Sequence, residues 1–191
     1  MNKAIFLDRD GVINELVFSK ERNEYEPPHS VEDVKLIEGV TVTLKRLLEN
    51  NFRLFIISNQ PDFAKGKTTL ENLINVSEKI RELMEEQKII LTEYNYCYHH
   101  PDGIVKEYSG DCDCRKPKPF FILNAIKKYN LDKNSSWMTG DRDTDIQCGK
   151  NSGLKTILIE YAGSENYRMN SNPDFKVKNL SEAADIILNS K

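Results

Sequence analysis

Two aspartates near the start of the chain, Asp8 and Asp10, have the spacing that most directly predicts chemistry. They follow a short apolar segment, residues 4–7, and precede Gly11. Because side chains two positions apart in an extended segment share a face, we expect the two carboxylates to converge while Arg9 points away. Two such carboxylates repel each other unless a cation or a shared proton relieves the repulsion. The pair therefore predicts a divalent metal ion and a phosphoryl substrate.

Three further polar residues fit the same chemistry, and two of them, Ser58 and Asp141, follow other apolar segments. Asp8 is a candidate nucleophile that accepts a phosphoryl group, and Asp10 a candidate general acid and base. Ser58 and Lys116 are placed to stabilise phosphoryl oxygens, with Lys116 in a loop stiffened by Pro117 and Pro119. Asp141 completes an oxygen shell suited to Mg²⁺. Each of these residues alone is more often a turn, cap or surface residue, but together they predict a catalytic site.

A cysteine and histidine cluster predicts a second metal. Two pairs of soft ligands flank a loop of about residues 97–114 and suit a closed tetrahedral zinc site. The predicted ligands are Cys97, His99, Cys112 and Cys114. The loop between the pairs has almost no apolar residues, so the metal is expected to organise it. His100 stays open as a substitute ligand, and Cys148 is expected to be a packed helix thiol.

The composition predicts one globular domain over residues 1–191. Hydrophobic residues make up 39% of the chain and charged residues 30%, which excludes a disordered protein. The net charge of −3 argues against a nucleic-acid partner. No apolar segment reaches the roughly 20 residues of a membrane helix, and the first strand leaves no room for a signal peptide. We expect a cytoplasmic protein, a monomer, with no membrane partner.

Strand and helix patterns alternate along the chain, which predicts an α/β fold with a mostly parallel sheet. Strands are predicted at 4–7, 52–57, 94–98, 137–139, 154–159 and 175–177. Helices are predicted from Val40, from a capping box at Thr68, at 120–129, at 145–151 and from a cap at Ser181. Ligands of such sheets bind beyond the carboxyl ends of the strands, where the polar residues fall.

The order of these motifs resembles the haloacid dehalogenase-like phosphatases. The resemblance rests on Asp8-x-Asp10-Gly11-Val12, Ile57-Ser58-Asn59-Gln60, Lys116-Pro117 and Gly140-Asp141. It implies a Rossmann-like three-layer sandwich and an aspartyl-phosphate on Asp8. It also implies Mg²⁺ held by Asp8, Asp141 and the backbone carbonyl of Asp10. Since no segment is long enough for a cap domain, we expect a capless core whose loops cover the substrate. Asp143 and Asp145 are interpreted as acids at a helix N-terminus, and His29 as exposed.

The predicted zinc loop directly before Arg115-Lys116-Pro117 looks like one branch of that family. The branch contains D,D-heptose 1,7-bisphosphate phosphatases and histidinol-phosphatases. This resemblance implies substrate recognition by Asn59, Gln60, Arg115, Arg142 and Glu15. Pro61 and Asp62 depart from the Ser-Gly usual there, so the substrate loop is expected to differ.

Three functions remain open at this point. The leading expectation is hydrolysis of the C7 phosphate of heptose 1,7-bisphosphate, a small phosphorylated sugar. The alternative enzyme is a histidinol-phosphatase, whose substrate is a phosphorylated amino alcohol. The alternative of another class is a zinc-organised binding module without turnover. A nucleic-acid end phosphatase is disfavoured by the acidic charge balance.

Overall fold

The computed structural model describes residues 2–190, and a six-stranded parallel sheet forms its centre. The strands of the chain are β1 Lys3–Leu7, β2 Val17–Ser19, β3 Glu24–Glu26, β4 Phe52–Asn59, β5 Glu93–Cys97, β6 Trp137–Gly140, β7 Lys155–Ile159 and β8 Phe175–Val177. The central sheet has the order β5-β4-β1-β6-β7-β8, and all its neighbouring strands are parallel. The predicted α/β class is confirmed.

Helices cover both faces of this sheet and make it a three-layer sandwich. They are α1 Val40–Glu49, α2 Leu70–Glu86, α3 Phe120–Tyr129, α4 Asp143–Ser152 and α5 Leu180–Asn189. Ile5 and Leu7 of β1 pack in the core with α1, α2 and α5, whereas Ala4 and Phe6 pack in the core with α3 and α4. The two-residue repeat of a strand produces this division. Because β1 is buried on both faces, its position in the sheet is fixed, and so is the position of Asp8, which follows it.

The strand order reverses between β1 and β6, and this point determines where a ligand can bind. At such a switch point the connections leave in opposite directions, and a crevice opens beyond the carboxyl ends of the two strands. The backbone N–H of Asp8 donates to the carbonyl of Thr139 at 3.0 Å, which holds the two strand ends together. Among residues 2–190, no helix is long and apolar enough to cross a membrane.

Two predicted helix caps are wrong by one or two residues. α2 is capped by Thr69, whose side chain accepts the backbone N–H of Asn72 at 3.1 Å, rather than by Thr68. α5 is capped by Asn179 rather than Ser181. In both helices the cap accepts the N–H three residues later, as N-cap geometry requires. Each sequence segment contains more than one residue type able to cap, and only the backbone conformation selects between them.

A small antiparallel hairpin between β1 and α1 was not predicted. It is formed by β2 and β3, and residues 17–26 are called the hairpin wall below. Arg22 pairs with Glu26 at 2.5 Å, and Lys67 pairs with Glu26 at 2.8 Å and Glu24 at 3.0 Å. Lys67 therefore ties the hairpin wall to the loop after β4. The assignment of residues 1–191 to one domain stays a prediction.

Candidate active site

Lys116 lies at the centre of a buried charge cluster beyond the end of β1. Its side chain is 2% exposed. Its Nζ lies 2.8 Å from Asp8 Oδ1 and 2.7 Å from Asp145 Oδ1, and it donates to the carbonyl of Ile57 at 2.7 Å. Although burial works against a charged amine, Asp145 and Asp8 raise the pKa of Lys116. The amine is therefore a fixed positive charge against Asp8.

This cluster sets the charge on the candidate nucleophile. Burial favours the neutral carboxyl, but Lys116 and then Arg142 hold the pKa of Asp8 below its ordinary value. Burial and the nearby Asp8 raise the pKa of Asp145 to about 6, although Lys116 opposes them. Asp145 also accepts the backbone N–H of Arg142 at 3.0 Å, as expected of an acid at a helix N-terminus. Its ion pair with Lys116 was not predicted. Asp8 is thus ionised, as a nucleophile must be.

Asp141 supplies the strongest local argument for a cation. Its side chain is fully buried, and within residues 2–190 neither of its carboxylate oxygens has a hydrogen-bond partner. Burial, Asp8 and Asp145 all raise its pKa well above the ordinary value. Asp8, Asp141 and Asp145 each place an oxygen within 4.8 Å of the others. Since an oxygen-lined site of this charge suits a hard divalent ion, the residues present fit Mg²⁺.

Gly11 makes the close approach of Asp141 possible. A Cβ at this position would lie 2.4 Å from Asp141 Oδ2, and the backbone has a φ of +78°. Only glycine adopts this conformation without strain while leaving the carboxylate in place. The glycine after the aspartate pair is therefore required by the geometry of the predicted metal site.

Asp10 is held by three buried side chains, and none of these three contacts was predicted. Arg9 Nη2 and Asn14 Nδ2 both lie 2.9 Å from its Oδ1, and Gln60 Nε2 donates to its Oδ2 at 2.6 Å. The expectation that Arg9 points away is wrong, since its side chain is fully buried against Asp10. β1 ends at Leu7, so the alternation of an extended strand no longer applies there.

The residues at the carboxyl end of β4 position the site rather than all facing the cavity. Ser58 lines the cavity, and its Oγ accepts from Gln60 Nε2 at 3.0 Å. The Nδ2 of Asn59 donates to the carbonyl of Lys116, and its Oδ1 accepts the backbone N–H of Lys116, each at 3.0 Å. Gln60 is 1% exposed and lies behind Asp10, outside the cavity lining among the described residues. Its predicted contact with substrate is therefore replaced by a contact with Asp10.

A cavity of about 510 Å³ opens above these residues, a size typical of small-molecule sites. The hairpin wall forms one side of it, and Arg115 and Arg142 line it as predicted. Arg142 lies 4.4 Å from the ring centre of Tyr167, and Arg115 donates to the carbonyl of His99 at 3.1 Å. Glu15 is exposed and lies outside the described lining of the cavity. The structure does not bring Glu15 to the other predicted substrate residues.

His29 is partly buried rather than freely exposed, contrary to the sequence-based expectation. Its Nε2 lies 2.8 Å from Asp62 Oδ2, and its side chain is 21% exposed. Although burial raises the pKa of Asp62, the contact with His29 lowers it below the ordinary value. Asp62 is one of the two residues at which the chain departs from the related branch. Asp62 therefore joins the loop after β4 to the segment after the hairpin wall.

The cysteine cluster brings four soft ligand atoms close enough together to hold one metal ion. The Sγ atom of Cys97 lies 3.6 Å from that of Cys112 and 3.0 Å from that of Cys114, and Cys114 Sγ lies 3.7 Å from His99 Nδ1. Zinc–sulfur bonds of about 2.3 Å at tetrahedral angles separate the sulfurs by about 3.8 Å. The four side chains form one ligand group, whereas His100 lines the cavity instead. These residues fit Zn²⁺.

Known proteins resemble the chain over most of its length. The family model described as HAD-hydrolase-like matches residues 113–183. A D-glycero-alpha-D-manno-heptose-1,7-bisphosphate 7-phosphatase of Photorhabdus laumondii is 36% identical over 84% of each chain. The corresponding beta-anomer enzyme of Haemophilus influenzae is 35% identical over 85% of this chain and 84% of its own. A B. bronchiseptica D,D-heptose 1,7-bisphosphate phosphatase, solved with magnesium and phosphate, shares the fold at a TM-score of 0.78 and 21% identity, over 97% and 98% of the chains.

Proposed function

This chain belongs to the haloacid dehalogenase-like phosphatases, and from that premise we propose that it is a Mg²⁺-dependent D-glycero-D-manno-heptose 1,7-bisphosphate 7-phosphatase. The observation that carries the proposal is the contact between Asp8 and Lys116 beside Asp141, whose carboxylate has no hydrogen-bond partner within residues 2–190. The names of the relatives favour the heptose substrate. A small phosphorylated sugar also matches the cavity volume.

The first step proposed is attack by Asp8 on phosphorus. Lys116 occupies Oδ1, which leaves Oδ2 as the attacking oxygen. The new bond joins Oδ2 to phosphorus while the bond from phosphorus to the C7 oxygen breaks, and Asp10 gives its proton to the departing oxygen. In the second step Asp10 takes a proton from water, and the water oxygen displaces phosphate from Asp8. Arg9, Asn14 and Gln60 keep Asp10 in one orientation through both transfers.

Two metal ions complete the proposal. Asp8, Asp141 and the backbone carbonyl of Asp10 would hold Mg²⁺, which when bound offsets negative charge on the phosphoryl oxygens. Cys97, His99, Cys112 and Cys114 would hold Zn²⁺, which gives order to a loop that has little apolar surface to bury. We also retain the proposal of a cytoplasmic monomer that has no nucleic-acid or membrane partner.

Phosphate release from a matched panel tests this function. The wild-type protein and Asp8→Asn are assayed on heptose 1,7-bisphosphate and histidinol phosphate, each with Mg²⁺ or with EDTA. We expect Mg²⁺-dependent release from the heptose, a heptose 1-phosphate product by NMR, and no turnover by Asp8→Asn. A higher kcat/KM on histidinol phosphate would contradict the substrate. Absence of release from every phosphomonoester would favour the zinc-organised binding module.

A further inference from the structure

Arg142 differs from the buried lysine of the active site in what holds its side chain. Lys116 lies between two buried carboxylates, those of Asp8 and Asp145. Within residues 2–190, Arg142 makes no ion pair, and its Nε is buried without a hydrogen-bond partner. The guanidinium nevertheless lines the cavity. Its positive charge is therefore not neutralised by a direct contact and is available to a ligand.

The ring of Tyr167 orients this guanidinium in place of a carboxylate. The Cζ of Arg142 lies 4.4 Å from the ring centre, well within the range of a cation–π interaction. Tyr167 is 45% exposed and lines the same cavity, so the pair lies on the surface that a ligand meets. A carboxylate would neutralise the arginine, whereas an aromatic ring fixes its direction and leaves the charge available.

The segment that contains Tyr167 is held by the residue that follows Arg142. Residues 160–174 join β7 to β8 and are called the β7–β8 loop. The carboxylate of Asp143 accepts three consecutive backbone N–H groups of this loop, those of residues 169–171, at 2.7 to 3.0 Å. Hydrogen bonds to an ionised acceptor are stronger than those between neutral groups. The loop just after Tyr167 is therefore fixed to the start of α4.

A second contact joins the same loop to the residue that precedes Arg142. Ser164 is fully buried, and its Oγ lies 3.0 Å from the carbonyl oxygen of Tyr161 and 3.3 Å from that of Asp141. The β7–β8 loop thus contacts both chain neighbours of Arg142, and Tyr167 lies between the two contacts. This arrangement fixes the ring relative to the backbone from which the guanidinium extends.

We propose that Tyr167 is a positioning residue that directs the guanidinium of Arg142 towards the phosphoryl group that Asp8 accepts. The proposal rests on the proposed function only in that the ligand has a phosphoryl group. An arginine loses conformational freedom when it binds a ligand, and a side chain that is already oriented loses less. Removal of the ring should therefore weaken phosphate binding through Arg142.

Binding of inorganic phosphate, measured by calorimetry with Mg²⁺ present, tests this role without any sugar. Wild type is compared with Tyr167→Ala, Tyr167→Phe and the control Met169→Ala. Met169 is an exposed residue of the same loop, outside the described lining of the cavity. Loss of the cation–π contact predicts a dissociation constant about 3- to 10-fold higher in Tyr167→Ala. We expect Tyr167→Phe, which keeps the ring, and Met169→Ala to bind phosphate as wild type does.

A double-mutant cycle separates positioning from a merely structural effect. Tyr167→Ala is repeated in the Arg142→Gln background, where the ring has no guanidinium to orient. We expect no further loss of phosphate affinity there, because the effect of the ring acts through Arg142. Equal losses in both backgrounds would overturn the inference, and so would a Tyr167→Phe protein that binds as weakly as Tyr167→Ala. Since the cycle needs no turnover, failure to hydrolyse the heptose would contradict the proposed function and not this result.

Discussion

Replacement of Lys116 by methionine should destabilise the protein strongly. The amine is buried between Asp8 and Asp145, at 2.8 and 2.7 Å, and its loss leaves two buried carboxylates without their cation. Removal of one partner from a buried ion pair costs about 3–5 kcal/mol. For a chain of this length each kcal/mol lowers the melting temperature by about 2–4 °C. Lys116→Met should therefore melt about 6–20 °C below wild type.

Thermal unfolding in EDTA measures this shift, and the chain supplies a matched control. Lys118 is also a lysine with two acidic partners, Asp111 and Asp113, but it lies at the surface. Exposed ion pairs contribute little, so Lys118→Met should melt close to wild type. Adding Asp145→Asn to Lys116→Met should recover part of the loss, because one of the two uncompensated charges is removed. A Lys116→Met protein that melts within the error of Lys118→Met would refute the reasoning.

Two further predictions concern the zinc loop and the hairpin wall. Cys112→Ala should lower the zinc content measured by elemental mass spectrometry, because one of four ligands is lost. The control Cys148→Ala should leave the zinc content unchanged, since Cys148 lies outside the ligand group. Equal zinc content in both variants would contradict the assignment. The hydrogen bond from Arg22, together with Lys67, lowers the pKa of Glu26 from 4.5 to about 2, although burial opposes them. Glu26 therefore stabilises the fold above about pH 4.5 and loses this effect as pH falls towards 2, so denaturant unfolding of Glu26→Gln should depend less on pH over that range. Parallel loss of stability in wild type and Glu26→Gln would disprove that contribution.

The central sheet and the reacting residues were predictable because strong local patterns determine them. Buried parallel strands give continuous apolar segments, and polar residues directly after those segments must gather at one edge of the sheet. Asp8 and Asp141 follow this rule. Lys116 does not follow such a segment; it was predicted from its charge and its proline-rich loop, and the family resemblance then supported its role.

The contacts that hold these residues were less predictable. Arg9 follows the end of β1, where the chain turns and the rule for extended strands fails. Gln60 contacts Asp10 from fifty positions away, and no local pattern indicates such a pairing. The hairpin wall has strands of only three residues, too short for a periodic signal. Local sequence therefore predicts which residues react more readily than how they are oriented.

The most direct test of the mechanism is detection of the phosphoryl group on Asp8. The protein is mixed with heptose 1,7-bisphosphate and Mg²⁺, quenched in acid within one turnover, and mapped by peptide mass spectrometry. We predict one added phosphoryl group on the peptide that contains Asp8, and none in Asp8→Asn. Rapid phosphate release without any covalent phosphoryl group, or with the group on another residue, would contradict the account.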